Sequence, residues 1–470
     1  MFFFILRLMQ QYFILPLEGD KSMETRLNTE TKLPPSYKTV YIPVIYKFFI
    51  AQSIAFTWMI FSIRISIPWL KDLSSVVGLP LAVFIIAFIA YIPGYLVAFV
   101  AVSLLLDRQP PFKEKNPDLH VTILIAARNE AAKIGNTLKY IANQDYNGKI
   151  DVIIVDNNST DGTLEAAQKA ANEYGLNCTF LFEPKAGKSY ALNTGLKAIK
   201  TEYFMTLDAD TLLHKKAVNN IVARILSSPS DVCAVAGHVL ARNSRDNILT
   251  RMQEWDYFLG IASLKRMQGL YQGTLVAQGA FSLYKTDVVR EVGGWDDVIG
   301  EDIVLTWKFF EKGYRVFFEP LAIAFTEVPN RFKHFTRQRS RWARGMFEGL
   351  KKAGPWKQER FLAIFLLGID ILIPLIDLAF TIFWIPGLVL AFFGKYYIVG
   401  PYTLLVLPLN VLVTVIMYSF QKNIFDALGL RVRRNRIGYT FYLLFYQIIH
   451  SPISVMGYIQ EIFKLERVWK

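Results

Sequence analysis

Apolar and polar positions divide the chain into three regimes. From Leu73 to Leu106 there is no charged residue, a run longer than the roughly 20 residues that cross a bilayer. Before it lies Phe48–Ile63, a weaker apolar run closed by Lys47 and Arg64. The pair predicts a two-helix hairpin over 45–106, with Pro93-Gly94 as the place for a kink. Residues 1–44 form a separate N-terminal segment. Met1 to Leu17 is apolar apart from Arg7 and lacks a small-residue cleavage site. A cleaved signal peptide is therefore not expected, and Met23 is an alternative start.

The pattern changes at residue 107. Short apolar runs of strand length (His120–Ala126, Asp151–Val155, Thr179–Phe182, Tyr203–Leu207) alternate with helical patterns over Glu130–Asn143, Thr163–Tyr174 and Ser189–Ile199. Such alternation predicts βαβ units, hence an α/β domain with a parallel sheet and helices on both faces. Loops at the carboxyl ends of its strands are the expected place for ligands. This domain spans 107–330. Residues 331–360 then read as an amphipathic interface helix, with Phe335, Trp342, Met346 and Leu350 near helical spacing.

Hydrophobicity returns at Phe361. Residues 361–394 are apolar except for Asp370 and Asp377, and Tyr396–Gln421 and Ile437–Gln460 are free of Asp, Glu, Lys and Arg. Three further membrane helices are expected in 361–470. The two aspartates either line a polar path within the membrane or sit in an interfacial helix facing water.

Composition sharpens this picture. Of 470 residues, 53% are hydrophobic and 19% charged, which excludes a disordered chain and disfavours an ordinary soluble enzyme. The net charge is +13, and its position matters more than its size. Residues 331–352 hold eight Lys/Arg against one Glu, and 422–436 hold five against one Asp. By the positive-inside rule both segments, and the α/β domain with them, belong in the cytoplasm. The excess needs no nucleic acid, and no RNA- or DNA-binding motif is present. The two cysteines, Cys178 and Cys233, show no metal-ligand spacing and read as free thiols.

Candidate chemistry sits where strands end. Tyr203–Leu207 runs into Asp208-Ala209-Asp210. In extended chain alternate residues face one way, so both carboxylates are expected to share a cleft and a hard cation, Mg²⁺ or Mn²⁺. Val155 is followed by Asp156, Asn157 and a turn whose Ser159, Thr160 and Asp161 suit a helix cap, with Asp156 left over for a ligand. The first strand ends similarly, in Arg128-Asn129-Glu130. Lys185 and Lys188 flank a Gly turn before a helix, an arrangement suited to diphosphate. Gly300-Glu301-Asp302 reads as acids in a first helical turn or as catalytic acids. Gln338-Arg339-Ser340-Arg341-Trp342 reads, taken alone, as part of a helix on an anionic membrane face.

The order of these motifs (DNNSTDGT, GKxxALN, DAD, GED, QRSRW, enclosed by apolar helices) resembles the processive family 2 glycosyltransferases. That group includes the poly-N-acetylglucosamine, chitin, hyaluronan and cellulose synthases. The similarity covers roughly 45–460 and is strongest to the bacterial poly-β-1,6-N-acetylglucosamine synthases, since Glu254–Gly260 and Gly279–Tyr284 also stand in similar surroundings.

The resemblance implies a GT-A (Rossmann-like) domain and inverting transfer from a nucleotide sugar, UDP-GlcNAc or another UDP-hexose. It places Asp156 near the base, Asp208 near ribose and diphosphate, and the metal on Asp210 with Asp208. Lys188, Asn129, Glu130 and Asn157 join the nucleotide site. Asp302, beside Glu301, is the implied general base. Gln338, Arg341 and Trp342 are implied to close over diphosphate and acceptor. Three positions depart from the common pattern. Asn157 stands where many relatives have Asp, Gly300 where many have Thr, and Arg344 where many have Gln, the last read as an influence on acceptor choice.

The implied product is a β-linked polysaccharide made at the cell membrane. The alternatives are single-sugar transfer to a lipid or lipid-linked carrier and, remotely, a non-catalytic membrane protein. The sequence names no accessory export protein.

Overall fold

The structure, a computed structural model, describes residues 42–465. The expectations for residues 1–41, including the apolar start and Met23, lie outside the described residues.

Strand-forming runs rich in Val, Ile and Phe build an eight-stranded sheet in the order β3-β2-β1-β4-β7-β6-β8-β5. The strands are β1 Val121–Ala127, β2 Ile150–Asp156, β3 Cys178–Phe182, β4 Tyr203–Leu207, β5 Leu212–Leu213, β6 Val232–Ala241, β7 Phe281–Lys285 and β8 Arg315–Thr326. β3, β2, β1 and β4 pair in parallel, as strand–helix alternation predicts. The other half departs from the expected parallel sheet. β7 runs antiparallel to β4 and β6, and β5 antiparallel to β8. The alternation stops after β4, and the chain leaves β6 and re-enters β7 at the same end of the sheet. That reversal brings the start of β7 beside the carboxyl ends of β1, β2 and β4.

Successive strand side chains point to opposite faces, and each face has its own core. Ile123 and Ile125 pack with Ile134, Leu138 and Ala167 on one face. Leu124 packs on the other with Ala191 and Leu192. This second core continues without a break into the apolar helices, through Phe48, Phe99, Tyr271, Trp307 and Leu366. Two buried polar links reinforce the junction: Arg266 donates to Asp107 at 2.6 Å, and the hydroxyls of Ser103 and Tyr271 meet at 2.7 Å.

Among the described residues four helices are long and apolar enough to cross a membrane: Val44–Ile65, Leu79–Leu106, Phe361–Phe392 and Pro401–Ala427. The N-terminal hairpin differs from expectation in one respect. Gly78, with φ 83°, separates a short helix, Ile67–Val77, from Leu79–Leu106, so the charge-free run starts one helix early. A π-helical turn at Ala87–Tyr91 precedes Pro93, which has no N–H to continue the ladder.

The place of the expected third C-terminal span is taken by a more polar helix. Helix Arg436–Ile462 is not among the four. Gln447, His450, Ser451, Ser454 and Gln460 lower its hydropathy. Its buried Glu461 reaches the basic helix Phe332–Ala353. Asp377 faces this helix rather than water: it is buried and accepts from Ser451 at 2.7 Å and Tyr458 at 2.9 Å.

Candidate active site

The carboxyl ends of β1, β2 and β4 supply three of the expected groups. Asp156 closes β2 and is 4% exposed. Its Oδ2 accepts from the Ser159 amide at 3.2 Å, while Oδ1 is buried with no hydrogen-bond partner. A buried, unsatisfied carboxylate oxygen is costly unless a ligand or water completes it.

Asn157 has a different task from the one expected. Its amide nitrogen donates to the carbonyls of Glu183 and Lys185 at 3.1 and 2.7 Å, and its oxygen accepts from the Gly187 amide at 2.8 Å. The side chain thus clasps the loop that presents Lys188, and its polar atoms are engaged there rather than turned to a base. Asn129 similarly clasps the β2 turn, with its Oδ1 accepting from the Thr160 amide at 2.9 Å.

Asp208 and Asp210 do not lie in extended chain. The Thr211 amide donates to the Asp208 carbonyl at 3.0 Å, so the two sit in a turn. Lys188 donates to Asp208 Oδ1 at 2.5 Å. Asp210 meets Lys133 at 3.5 Å, and the same ammonium reaches Glu130 at 3.4 Å and Glu327 at 3.2 Å.

Sequence reasoning missed Lys133 and Glu327. Lys133 stands three residues after Glu130 in the first turn of a helix, a spacing that could have flagged it. Glu327 follows β8, a strand that the alternation did not reveal. Burial, then the charges of Asp208 and Glu327, raise the Asp210 carboxyl above its usual range, with Lys133 opposing. For Lys188, burial alone would lower the ammonium. The attraction of Asp208, Glu301 and Asp302 outweighs it, and the net direction is up.

No group of three or more His, Cys, Asp or Glu side chains forms a closed metal cage among the described residues. The donor set nevertheless fits a hard divalent ion. Mg²⁺ commonly takes one or two carboxylates and completes its shell with phosphate and water, and two acids in the turn that follows β4, Asp208 and Asp210, offer that.

Helix Glu301–Glu311 brings the acid pair to the same place. Asp302 accepts from the Gly279 amide at 3.4 Å, just ahead of β7. A Cβ on Gly279 would stand 2.8 Å from Lys188 Nζ, so the glycine leaves room for the ammonium beside β7. Glu301 is buried, and desolvation followed by the Asp302 charge raises its carboxyl, while Lys188 and Arg341 oppose. Lys265, a further residue that the sequence did not flag, donates to the Val276 carbonyl at 2.8 Å and to Gln278. Burial lowers its ammonium to about 7, with Asp302 opposing.

The basic helix closes the arrangement. A Cβ on Gly300 would lie 2.6 Å from Gly345 Cα, so the two helices meet backbone to backbone. Glu348 accepts from the amides of Ile299 at 2.7 Å and Gly300 at 3.4 Å, capping the acid-bearing helix across the junction. Arg341 and Trp342 are exposed on this helix, Trp342 at 37%, and Gln338 Oε1 is buried without a partner. Arg344 is engaged within the fold. It is buried, donating to Glu461 at 3.4 Å and to the Leu465 carbonyl at 2.8 Å.

Arg339, hidden inside the expected motif, is the buried arginine of the group. It pairs with Asp256 at 2.8 Å, donates to the Tyr446 hydroxyl at 3.0 Å and lies 4.3 Å from the Trp342 ring.

A mixed α/β sheet with acids and lysines at its strand ends, roofed by a basic helix and flanked by helices long and apolar enough to cross a membrane, has the layout of a GT-A-like fold. Residues 117–345 match the family model described as Glycosyltransferase like family 2.

The chain is similar to the poly-beta-1,6-N-acetyl-D-glucosamine synthase of Staphylococcus aureus strain COL, with 35% identity over 246 residues, 50% of this chain and 58% of that protein. It is 34% identical over 234 residues to the synthase of the same name from Staphylococcus epidermidis, covering 49% and 55%. The match thus spans a little over half the length of these curated relatives. Among solved structures it resembles the mannosyltransferase PcManGT from Pyrobaculum calidifontis in complex with GDP-Man and Mn2+, with TM-score 0.57 and 22% identity over 81% of this chain and 98% of that one. That likeness is one of fold.

Proposed function

We propose that this protein is an inverting glycosyltransferase of the membrane. It transfers a hexosyl or N-acetylhexosaminyl unit from a nucleotide sugar, UDP-GlcNAc or another UDP-hexose, to a growing β-linked polysaccharide. The observation that carries this reading is the convergence of Lys188, Asp208 and Asp302 under a basic helix locked to the acid-bearing helix at Gly300 and Gly345. The synthase names of the staphylococcal relatives favour N-acetylglucosamine as the sugar.

The acceptor hydroxyl is a poor nucleophile at neutral pH, and Asp302 takes its proton as attack proceeds. The anomeric carbon becomes oxocarbenium-like. The departing diphosphate gains negative charge, which Lys188 and the Arg341 guanidinium neutralise. Asp156 receives the base through its free oxygen. Trp342 offers a flat apolar face to an acceptor sugar. Asp208 and Asp210 are the residues that would hold a divalent ion, Mg²⁺ or Mn²⁺, which supplies further charge neutralisation at the diphosphate. Attack opposite the diphosphate turns an α-linked donor into a β-linked product. Charge placement supports a cytosolic catalytic domain, where nucleotide sugars are available.

The test is to incubate the purified chain with a panel of radiolabelled nucleotide sugars and a divalent cation, then size the product. A ladder or polymer supports chain extension. A single added sugar sinks that reading in favour of glycolipid synthesis, and no transfer from any donor sinks the enzyme.

Two further outcomes are expected. EDTA abolishes transfer, Mg²⁺ or Mn²⁺ restores it, and Asp210→Ala loses both the rate and the cation response. Full activity in excess EDTA would contradict the assignment.

Arg341→Lys and Trp342→Ala each lower transfer at least tenfold, about 1.4 kcal/mol in barrier terms, without changing membrane insertion. Lysine keeps the charge but loses the planar fork. Arg337→Lys, exposed on the same helix, is nearly silent. Equal, small effects at 337 and 341 would mean that the helix only anchors.

A further inference from the structure

A cavity of about 1040 Å³ contains none of the groups assigned above to donor, metal or acid chemistry. It lies between the sheet edge and the chain that follows helix Val406–Ala427, and its volume is at the top of the range for small-molecule sites, about 300–1,000 Å³. Its floor is apolar: Leu213, Leu240, Trp255, Phe258, Phe325 and Phe425. Its rim is basic, with Lys139 and Lys215 on one side and Arg431 and Arg433 on the other. These four cations are exposed and make no ion pair among the described residues. Arg242, a fifth, is held by Glu327. The one acid in the lining, Glu254, is already engaged by Arg245 at 2.7 Å and Asn435 at 2.5 Å.

An apolar chamber ringed by unneutralised cations suits a molecule with a hydrocarbon body and an anionic head. Its place selects the source. Phe425 belongs to a helix long and apolar enough to cross the membrane, and Leu430 and Arg431 follow directly at its end. The cavity therefore sits where a span leaves the bilayer, the level at which phospholipid phosphates lie and basic pockets attract them.

We propose that this cavity is a binding site for an anionic phospholipid, with an acyl chain against Leu240, Phe258 and Phe425 and the headgroup phosphate between Arg431, Arg433, Lys139 and Lys215. This is independent of the proposed reaction, because the site shares no residue with it.

The test is native mass spectrometry of the full chain purified in neutral detergent. It is titrated separately with phosphatidylglycerol, with phosphatidylcholine of the same acyl chains, and with glycerol 3-phosphate as the head alone. Phosphatidylglycerol is expected to be retained at least about tenfold more tightly than phosphatidylcholine, and glycerol 3-phosphate not at all. The double variant Arg431→Gln, Arg433→Gln should erase that preference. So should Lys139→Gln, Lys215→Gln on the opposite wall, which guards against a local folding defect in the loop. Leu430→Trp, which fills the chamber, should weaken retention of phosphatidylglycerol with the rim charges intact. Equal retention of both lipids, an undiminished preference in both rim variants, or glycerol 3-phosphate binding as tightly as the lipid would overturn the site.

Discussion

Asp302→Asn is expected to lower kcat about 10³-fold, within the 10²–10⁴ range of general base catalysis, while donor affinity changes by less than about threefold. The substitution keeps the shape of the side chain. An Asn oxygen still accepts from the Ile303 amide, now 2.9 Å from Oδ1, or from the Gly279 amide. The helix start therefore survives. Only the ability to take a proton is lost, and that is needed when the acceptor hydroxyl reacts and not when the donor docks. Donor contacts survive because Lys188 keeps its direct ion pair with Asp208, at 2.5 Å. Glu301→Gln serves as the control and should cost less, since Glu301 is buried. Single-turnover transfer rates and donor binding, measured on the same preparations, decide the matter. A kcat within tenfold of the parent would remove Asp302 from the proton transfer.

Asp256→Asn is expected to destabilise the protein by about 3–5 kcal/mol, the usual result of leaving one half of a buried ion pair without its counter-charge. Arg339 is 2% exposed and Asp256 5%, so water cannot replace the lost partner. The guanidinium is surrounded by the rings of Trp342, Phe335, Tyr257 and Tyr446, at 4.3 to 5.9 Å, and these compensate only part of a full charge. A thermal midpoint about 5 °C or more lower in detergent is the readout. The combined Asp256→Ala, Arg339→Met variant should recover much of that loss, because two apolar side chains leave no stranded charge. A midpoint unchanged in Asp256→Asn would show that the pair is solvated and that the three elements it joins are held by packing alone.

This pair marks the limit of reading the chain as a string. QRSRW drew attention to Gln338, Arg341 and Trp342, yet Arg339 in the same five residues is the side chain that the fold buries. Helical periodicity places 338, 341 and 342 on a common side. It does not say that residue 339 will meet Asp256, 83 positions earlier, or Tyr446, 107 positions later. Arg344, read as an influence on acceptor choice, is likewise claimed by Glu461. Asn157 shows the same effect at short range. A polar residue after a strand reads as a ligand group, and the three backbone partners that occupy it lie in the next loop.

What was legible in the residues rested on local physics. Strand–helix alternation over 120–207 follows from periodicity, and β1 to β4 stand where that pattern puts them. Apolar length alone marks the four candidate spans. Motif order pointed to the glycosyltransferase domain that 117–345 matches. The antiparallel pairings of β7 and β5, the turn that holds Asp208 and Asp210, the Lys133 link among three acids, and the Gly300–Gly345 contact all required the folded chain. Each depends on segments far apart in sequence meeting at a distance set by packing, and a one-dimensional pattern records which residue types can meet but not which ones do.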